Sequence, residues 1–129
     1  MKKIIQTAKA PSPVGPYSQA VMAGDWLYIS GQVAIDPATG EIIHRTIEEE
    51  THQILSNLRV ILEEAGLDFQ HVVKCTVYVK DMEHYGIINA IYGEYFGLDN
   101  APARELVQVS RLPKDVNLEI SAIAYAGKN

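Results

Sequence analysis

The sequence predicts an α+β protein in which two helices pack on one face of a six-stranded mixed sheet. Short segments of alternating apolar and polar residues, typical of strands, occur near both ends of the chain and once in its middle. Two longer segments repeat apolar residues at helical spacing. The predicted order is β-β-β-α-β-α-β-β, within one domain that spans residues 1–129.

The N-terminal part is predicted to form three strands. The first is Lys3–Thr7, and a proline- and glycine-rich loop, APSPVGPY at 10–17, follows it. The prolines restrict the backbone around Tyr17. The segments Ser18–Met22 and Trp26–Ser30 are predicted to form a hairpin, and the chain then continues to a tight turn, DPATGE at 36–41.

Two helices are predicted, with a strand between them. The first begins at Thr46, whose hydroxyl and the carboxylate of Glu49 match a capping box, and it ends at Gly66. The second helix covers about 82–96, and Val72–Lys80 alternates as a strand. On that strand four residues are predicted to share one face: Val73, Cys75, Val77 and Val79.

The last segment is predicted to form a β-hairpin. In NAPARELVQVSRLPKDVNLEI, residues 100–120, apolar residues alternate on both sides of a turn at LPKD. Arg104 opens the first strand, and Glu119 interrupts the apolar run of the second. A symmetric turn would place these two side chains on opposite faces of the sheet. A site that both residues share therefore needs an irregular loop, a β-bulge or contributions from two subunits.

The final strand has apolar residues on both faces. Leu118 and Ile120 point one way, while Ile123 and Tyr125 point the other. Two helices cover only one face of such a sheet, and the uncovered face of a monomer is expected to be polar. The sequence therefore predicts a homo-oligomer whose subunits meet on the uncovered face.

Composition argues against several classes of protein. The net charge is −5 and the basic residues are scattered, so a nucleic-acid partner is not expected. No apolar run approaches the roughly 20 residues that span a bilayer, so no membrane association is predicted either. The single cysteine, Cys75, cannot form an internal disulfide framework and fits a reducing compartment. We therefore expect a cytoplasmic protein.

Most catalytic motifs are missing as well. The four histidines have no metal-binding spacing, and there is no nucleophile elbow and no glycine-rich phosphate loop. Cys75 alternates with valines, which favours an inert core thiol over a reactive one. No metal site and no cofactor are predicted.

Four polar features remain after these exclusions: Tyr17, Ser30-Gly31, Arg104 and Glu119. Together they fit a site that binds a carboxylate, because one arginine can hold a carboxylate with two hydrogen bonds. Each also has a structural explanation. Arg104 fits a surface ion pair, Glu119 fits a solvated group or the partner of Arg104, and Tyr17 fits a loop anchor.

Five blocks of the sequence closely resemble the RidA (YjgF) family of reactive-intermediate deaminases. They are GPYSQA at 15–20, SGQ at 30–32, DPATGE at 36–41, PAR at 102–104 and RLPKDVNLEI at 111–120. The resemblance covers nearly the whole chain in order. It implies a chorismate-mutase-like homotrimer with sites in clefts between subunits. It also implies hydrolysis of 2-imino acids, the products of pyridoxal-phosphate dehydratases, to 2-keto acids and ammonia.

The resemblance implies a role for each matching residue. Arg104 grips the substrate carboxylate, Glu119 holds or activates the attacking water, and Tyr17 donates or accepts a hydrogen bond. Four further positions are expected to bind substrate: Ser30, Gly31, Asn89 and Leu106 through its backbone N–H. The chain departs from the family at Leu106, where many members have cysteine, and at Ser121, where many have a second glutamate.

Two other functions stay open at this stage. Some relatives are regarded as ligand-responsive binding proteins without deaminase activity, although the presence of Arg104 argues against this alternative. An RNA-cleaving or translation-inhibiting role has also been attributed to the family. The acidic composition makes that role the third choice.

Overall fold

The computed structural model describes residues 1–127 and confirms the predicted α+β order of strands and helices. Helix α1 spans Ile47–Glu64, and helix α2 spans Tyr85–Phe96 after a single 3₁₀ turn. The six strands form one mixed sheet: β1 Lys2–Ile5, β2 Ala20–Ala23, β3 Trp26–Gln32, β4 Val72–Val79, β5 Ala103–Gln108 and β6 Leu118–Tyr125.

The predicted hairpin between the last two strands is wrong. The strand order is β1-β2-β3-β6-β4-β5, so β4 lies between β5 and β6. It pairs in parallel with β5 and antiparallel with β6. The 109–117 connection crosses the end of β4 and is hydrogen-bonded to it at both ends. The Val109 N–H donates to the Val79 carbonyl at 2.9 Å, and the Lys80 N–H donates to the Asn117 carbonyl at 3.0 Å. The apparent turn at LPKD is therefore part of a crossover.

Both helices pack on one face of the sheet, where the hydrophobic core lies. The start of α1 is as predicted, because the Thr46 hydroxyl accepts a hydrogen bond from the Glu49 N–H at 3.1 Å. The capping box is only half formed, since the Glu49 carboxylate binds Arg45 instead. Large core side chains come from both helices and the central strands: Leu27, Ile54, Leu58, Ile61, Ile88, Val77, Leu118 and Ile120.

A β-bulge interrupts the pairing of β3 with β6. Ile29 pairs with Ala122, but the next paired residue on β3, Gln32, pairs with Ile120. Ser30 and Gly31 therefore oppose a single residue of β6. Bulges of this kind bend a strand and redirect its side chains. This one lies beside Glu119 and shapes the surface next to it.

The uncovered face of the sheet carries exposed apolar side chains, as the sequence predicted, beside polar ones such as the Lys74–Glu105 ion pair. Trp26, Tyr28 and Val107 are 42%, 49% and 44% exposed on this face. Trp26 stacks against Tyr125 with 4.7 Å between the ring centroids. A patch of this composition is typical of a protein–protein interface. Within residues 1–127, no helix is both long and apolar enough to cross a membrane.

Candidate functional site

A cleft of about 390 Å³ opens beside the β3 bulge. Its walls come from the N-terminal loop, the bulge and the 113–114 turn, and one side of it is the Glu119 side chain. Four of the seven site residues predicted from sequence line it together: Tyr17, Ser30, Gly31 and Glu119. These four residues bring a carboxylate and two hydroxyls to the cleft.

Glu119 lies directly over Gly31. A Cβ added at Gly31 would be 2.3 Å from Oε2 and 2.7 Å from Cδ of Glu119. Both distances are far shorter than any real contact, so the carboxylate occupies the space that every other residue type would fill with a side chain. Glycine is required here for close approach rather than for an unusual backbone conformation.

The Glu119 carboxylate is half-buried and has no ion-pair partner among residues 1–127. Burial raises its pKa above the ordinary value, because desolvation disfavours the charged form. A carboxylate with a raised pKa takes up a proton more readily than an exposed one. Such a group suits a general base that deprotonates a bound water.

The hydroxyls of Ser30 and Tyr17 are held by the backbone. Ser30 Oγ donates to the Ser18 carbonyl at 2.6 Å. The Tyr17 hydroxyl accepts from the Val14 N–H at 3.3 Å, which leaves its own proton free to donate. The Tyr17 ring therefore anchors its loop, and the same hydroxyl can also bind a ligand.

Sequence reasoning missed Gln19, which fixes the N-terminal wall of the cleft. It is 2% exposed, and its side-chain carbonyl accepts from the Thr7 N–H at 2.8 Å. Its amide donates to the carbonyls of Thr7 at 3.0 Å and Pro11 at 2.8 Å. A glutamine next to a proline-rich loop could have suggested this role, because such loops leave backbone groups without partners.

The other three predicted site residues, Arg104, Leu106 and Asn89, lie on the opposite side of the sheet from the cleft, which is the side that the helices cover. Arg104 pairs across the sheet with Cys75, and Leu106 pairs with Val77, and both partners are fully buried in the core. The Arg104 guanidinium lies over the rings of two tyrosines of α2. Asn89 lies on the same face of that helix as Tyr85 and Tyr92, because it is four residues after the first and three before the second.

Arg104 and Glu119 do not meet within one subunit. Arg104 aligns with Cys75 and, through β4, with Ala122, which is three residues beyond Glu119. Two strand spacings and three residues of rise place the two Cα atoms about 14 Å apart. The expectation of opposite faces is confirmed, but its cause is the three-residue offset between Ala122 and Glu119 rather than a symmetric turn. A site that both residues share would therefore need contributions from two subunits.

Two further observations concern metal ligands and nucleophiles. Among residues 1–127, no group of three histidine, cysteine or acidic side chains is placed to hold a metal ion. Cys75 is buried, and burial raises the pKa of its thiol to about 11, against the smaller opposing influences of Tyr92 and Arg104. The thiol is therefore protonated at neutral pH and unsuited to nucleophilic attack.

The fold and the cleft define a small α+β protein with a candidate ligand site beside a sheet bulge. The family model described as Endoribonuclease L-PSP matches residues 7–126. The chain belongs to this family, which is also called the YjgF/RidA family.

Several relatives match over nearly their whole length. A RutC family protein of Pyrococcus horikoshii is 54% identical over 125 residues, which cover 97% of this chain and 98% of the relative. The 2-iminobutanoate/2-iminopropanoate deaminase of Mus musculus is 47% identical over 127 residues, covering 98% and 93%. The crystal structure of Escherichia coli TdcF with bound serine superposes with a TM-score of 0.91 at 41% identity, covering 97% and 99%.

Proposed function

We propose that the protein is a hydrolase that converts 2-imino acids and their enamine tautomers to 2-keto acids and ammonia. The observation that carries this proposal is the half-buried Glu119 carboxylate, which has a raised pKa and lies in a cleft with the hydroxyls of Tyr17 and Ser30. The mouse relative named as a 2-iminobutanoate/2-iminopropanoate deaminase supports the choice of reaction. The closer archaeal relative has only the general RutC family name, so the reaction needs a direct test.

We further propose that the active site forms between subunits of a homotrimer. Arg104 and Glu119 lie on opposite faces of one sheet, so a small substrate cannot touch both in one chain. The uncovered face that bears Glu119 carries the exposed side chains of Trp26 and Tyr28 and is expected to pack against a neighbouring subunit. The Arg104 side of that neighbour would then complete the cleft. The same composition fits a cytoplasmic protein without nucleic-acid or membrane partners.

The residues of this chain can carry out the reaction without a cofactor. Arg104 holds the substrate carboxylate with two parallel hydrogen bonds. A water on Glu119 attacks the imine carbon, Glu119 takes the water's proton, and the C=N π electrons move to nitrogen. The imine enters protonated on nitrogen, so this step gives a neutral carbinolamine. Glu119 returns its proton to the carbinolamine nitrogen, and the C–N bond breaks as ammonia leaves. The hydroxyl proton passes to Glu119, and then to ammonia, as the oxygen becomes the keto carbonyl. Tyr17 and Ser30 orient the water or substrate, and Asn89 lies beside the carboxylate site.

Leu106 fits this reaction because no step uses a thiol. The backbone N–H of a residue is unaffected by its side chain, so the N–H of Leu106 can still bind substrate where many relatives have cysteine. Gly31 allows Glu119 to lie close to the sheet. We therefore expect activity despite the substitution.

The direct test is the release of pyruvate from 2-aminoacrylate generated in situ, with the unaided hydrolysis subtracted. Arg104→Ala is expected to lower kcat/KM by about 100-fold, because a bidentate charged contact is lost. Arg45→Ala is the matched control, since Arg45 is an exposed arginine that pairs with Glu49 on the surface. Full activity of Arg104→Ala would contradict the proposal. An inactive wild-type protein would favour a keto- or imino-acid-binding protein without turnover.

A second experiment tests whether the site is shared between subunits. Subunits with Arg104→Ala and subunits with Glu119→Gln are each expected to be inactive alone. In each mixed trimer, one of the three clefts would combine an intact Arg104 with an intact Glu119, so about a third of the wild-type activity would return. No recovery in mixed trimers, isolated by two affinity tags, would contradict the intersubunit site.

The family model is described as an endoribonuclease, so RNA cleavage is the remaining alternative. The net charge of −5 does not favour it, because RNA-binding surfaces are usually basic. Strongly salt-dependent RNA binding by the purified protein would support this alternative.

A further inference from the structure

The guanidinium of Arg104 lies on aromatic rings rather than against an acidic group. Its Cζ is 4.8 Å from the ring centroid of Tyr92 and 5.9 Å from that of Tyr85. These two tyrosines are seven residues apart on α2, so both rings lie on the same side of the helix. Arg104 therefore extends from β5 across this side of α2.

Aromatic contact leaves the hydrogen-bonding groups of an arginine free. A ring attracts the flat face of the guanidinium, whereas the five N–H donors point outward in the plane of the group. No carboxylate within residues 1–127 forms an ion pair with Arg104. The side chain is thus held in place while its donors remain available to a ligand from outside the chain.

Two titratable side chains next to the guanidinium, Tyr92 and Cys75, are electrically neutral. Burial, the largest cause, raises the pKa of Tyr92, and burial also raises the pKa of Cys75 to about 11. Neither side chain carries a negative charge at neutral pH, although both lie close to Arg104. A phenolate or thiolate at this place would compete with a substrate carboxylate for the same cation.

The hydroxyl of Tyr92 makes no hydrogen bond within residues 1–127, although it is buried. It lies near enough to the Cys75 thiol to affect its pKa, but without the geometry of a hydrogen bond. A buried hydroxyl without a partner is destabilising. Tyr92 therefore contributes its ring to the contact with Arg104. Tyr92 is 6% exposed, and its ring packs on that of Phe96 with 4.4 Å between the ring centroids.

We propose that Tyr92, assisted by Tyr85, is a positioning residue that holds the Arg104 guanidinium flat for bidentate binding of the substrate carboxylate. The proposal rests on the proposed function, because it assigns Arg104 to that carboxylate. The rings restrict the rotamers of a long side chain before substrate arrives. This restriction reduces the conformational entropy that binding would otherwise lose.

The variants for the test separate the ring from the hydroxyl. Tyr92→Leu removes the aromatic face, and Tyr92→Phe keeps it. Tyr85→Leu removes the more distant and more exposed ring, and it remains informative if Tyr92→Leu fails to fold. Tyr95→Leu is the matched control, because the Tyr95 ring belongs to the same helix and lies 5.3 Å from a different arginine, Arg59.

Two measurements are made on each folded oligomer: the kinetics of 2-aminoacrylate hydrolysis and the Kd of 2-ketobutanoate by calorimetry. Tyr92→Leu is expected to raise KM and this Kd by about 10-fold, with a smaller change in kcat. Tyr85→Leu is expected to raise them by about 3-fold. Tyr92→Phe and Tyr95→Leu are expected to stay within about 2-fold of wild type.

The binding measurement distinguishes failure of this proposal from failure of the proposed function. If wild type binds the keto acid through Arg104 but does not hydrolyse the imine, the function fails and the positioning role is still tested by Kd. If Tyr92→Leu and Tyr85→Leu both bind the keto acid like wild type, the positioning role is wrong. A 10-fold loss in Tyr92→Phe would also overturn it, because the hydroxyl rather than the ring would then be responsible.

Discussion

Replacing Gly31 by alanine tests how strictly the position of Glu119 depends on the bulge. The added Cβ would lie 2.3 Å from Oε2 and 3.0 Å from Cγ of Glu119. Contacts of an ordinary Cβ begin at 3.4 Å, so Oε2 must move away by about 1.1 Å. The carboxylate then no longer lies where a water in the cleft could bind it.

The size of the effect follows from this displacement. A shift of about 1 Å in a group that positions a reactant can lower the rate by about 100-fold. The same overlap is expected to destabilise the fold by about 1–3 kcal/mol, as overpacking does in other closely packed sites. Gly31→Ala is therefore expected to lose most of its kcat while it remains folded.

The assay compares pyruvate release from 2-aminoacrylate and thermal unfolding in Gly31→Ala and Gly93→Ala. Gly93 lies in α2, and a Cβ added there meets no atom within 4 Å. The control adds the same methyl group in open space and is expected to keep full activity. Normal activity in Gly31→Ala would refute the reasoning, because Glu119 would then not need the place it occupies.

Two further predictions concern carboxylates. Burial raises the pKa of Glu119, so the protonated group contributes stability below its unfolded pKa, and this contribution is lost as the pH rises through the folded pKa. In Glu119→Gln, the melting temperature should therefore change less with pH between the unfolded and the folded pKa of Glu119 than it does in wild type. An unchanged pH dependence of the melting temperature would contradict the prediction. Glu50 is fully buried and accepts from the Asn117 N–H and Nδ2 at 2.9 and 3.0 Å. Glu50→Gln places an amide against these donors and should lower the free energy of unfolding by about 2–3 kcal/mol in urea titrations, whereas exposed Glu48→Gln should not.

The order of elements could be predicted because it depends on local patterns. Helix α1 begins after Thr46 as its cap predicts, since capping involves only neighbouring residues. The predicted alternation of buried and exposed residues along β4 is wrong at Val73, which was expected to share the face of Cys75 but is 40% exposed. A bulge between Val72 and Lys74 shifts the strand by one residue there, so Val72 takes the buried place. Periodicity alone contains no information about such an insertion.

The neighbours of each strand could not be predicted, because they depend on packing across the whole sheet. The segment around LPKD has the composition of a hairpin turn, yet Lys114 and Asp115 both have left-handed φ angles, 58° and 55°, in a crossover. The buried Glu50 carboxylate holds Asn117 at the end of this connection. That contact spans 67 residues of sequence, so no local pattern indicates it.

The separation of the site residues has a physical consequence for the proposed trimer. An arginine and a glutamate that share one flexible region form an ion pair, which would lower the pKa of Glu119 and occupy the donors of Arg104. Here each group is anchored to its own chain, Arg104 on the ring of Tyr92 and Glu119 over Gly31. The gap between them is then set by the contact between subunits rather than by side-chain rotamers. In the proposed trimer, such a fixed gap keeps room for a substrate between the cation that binds its carboxylate and the base that activates water.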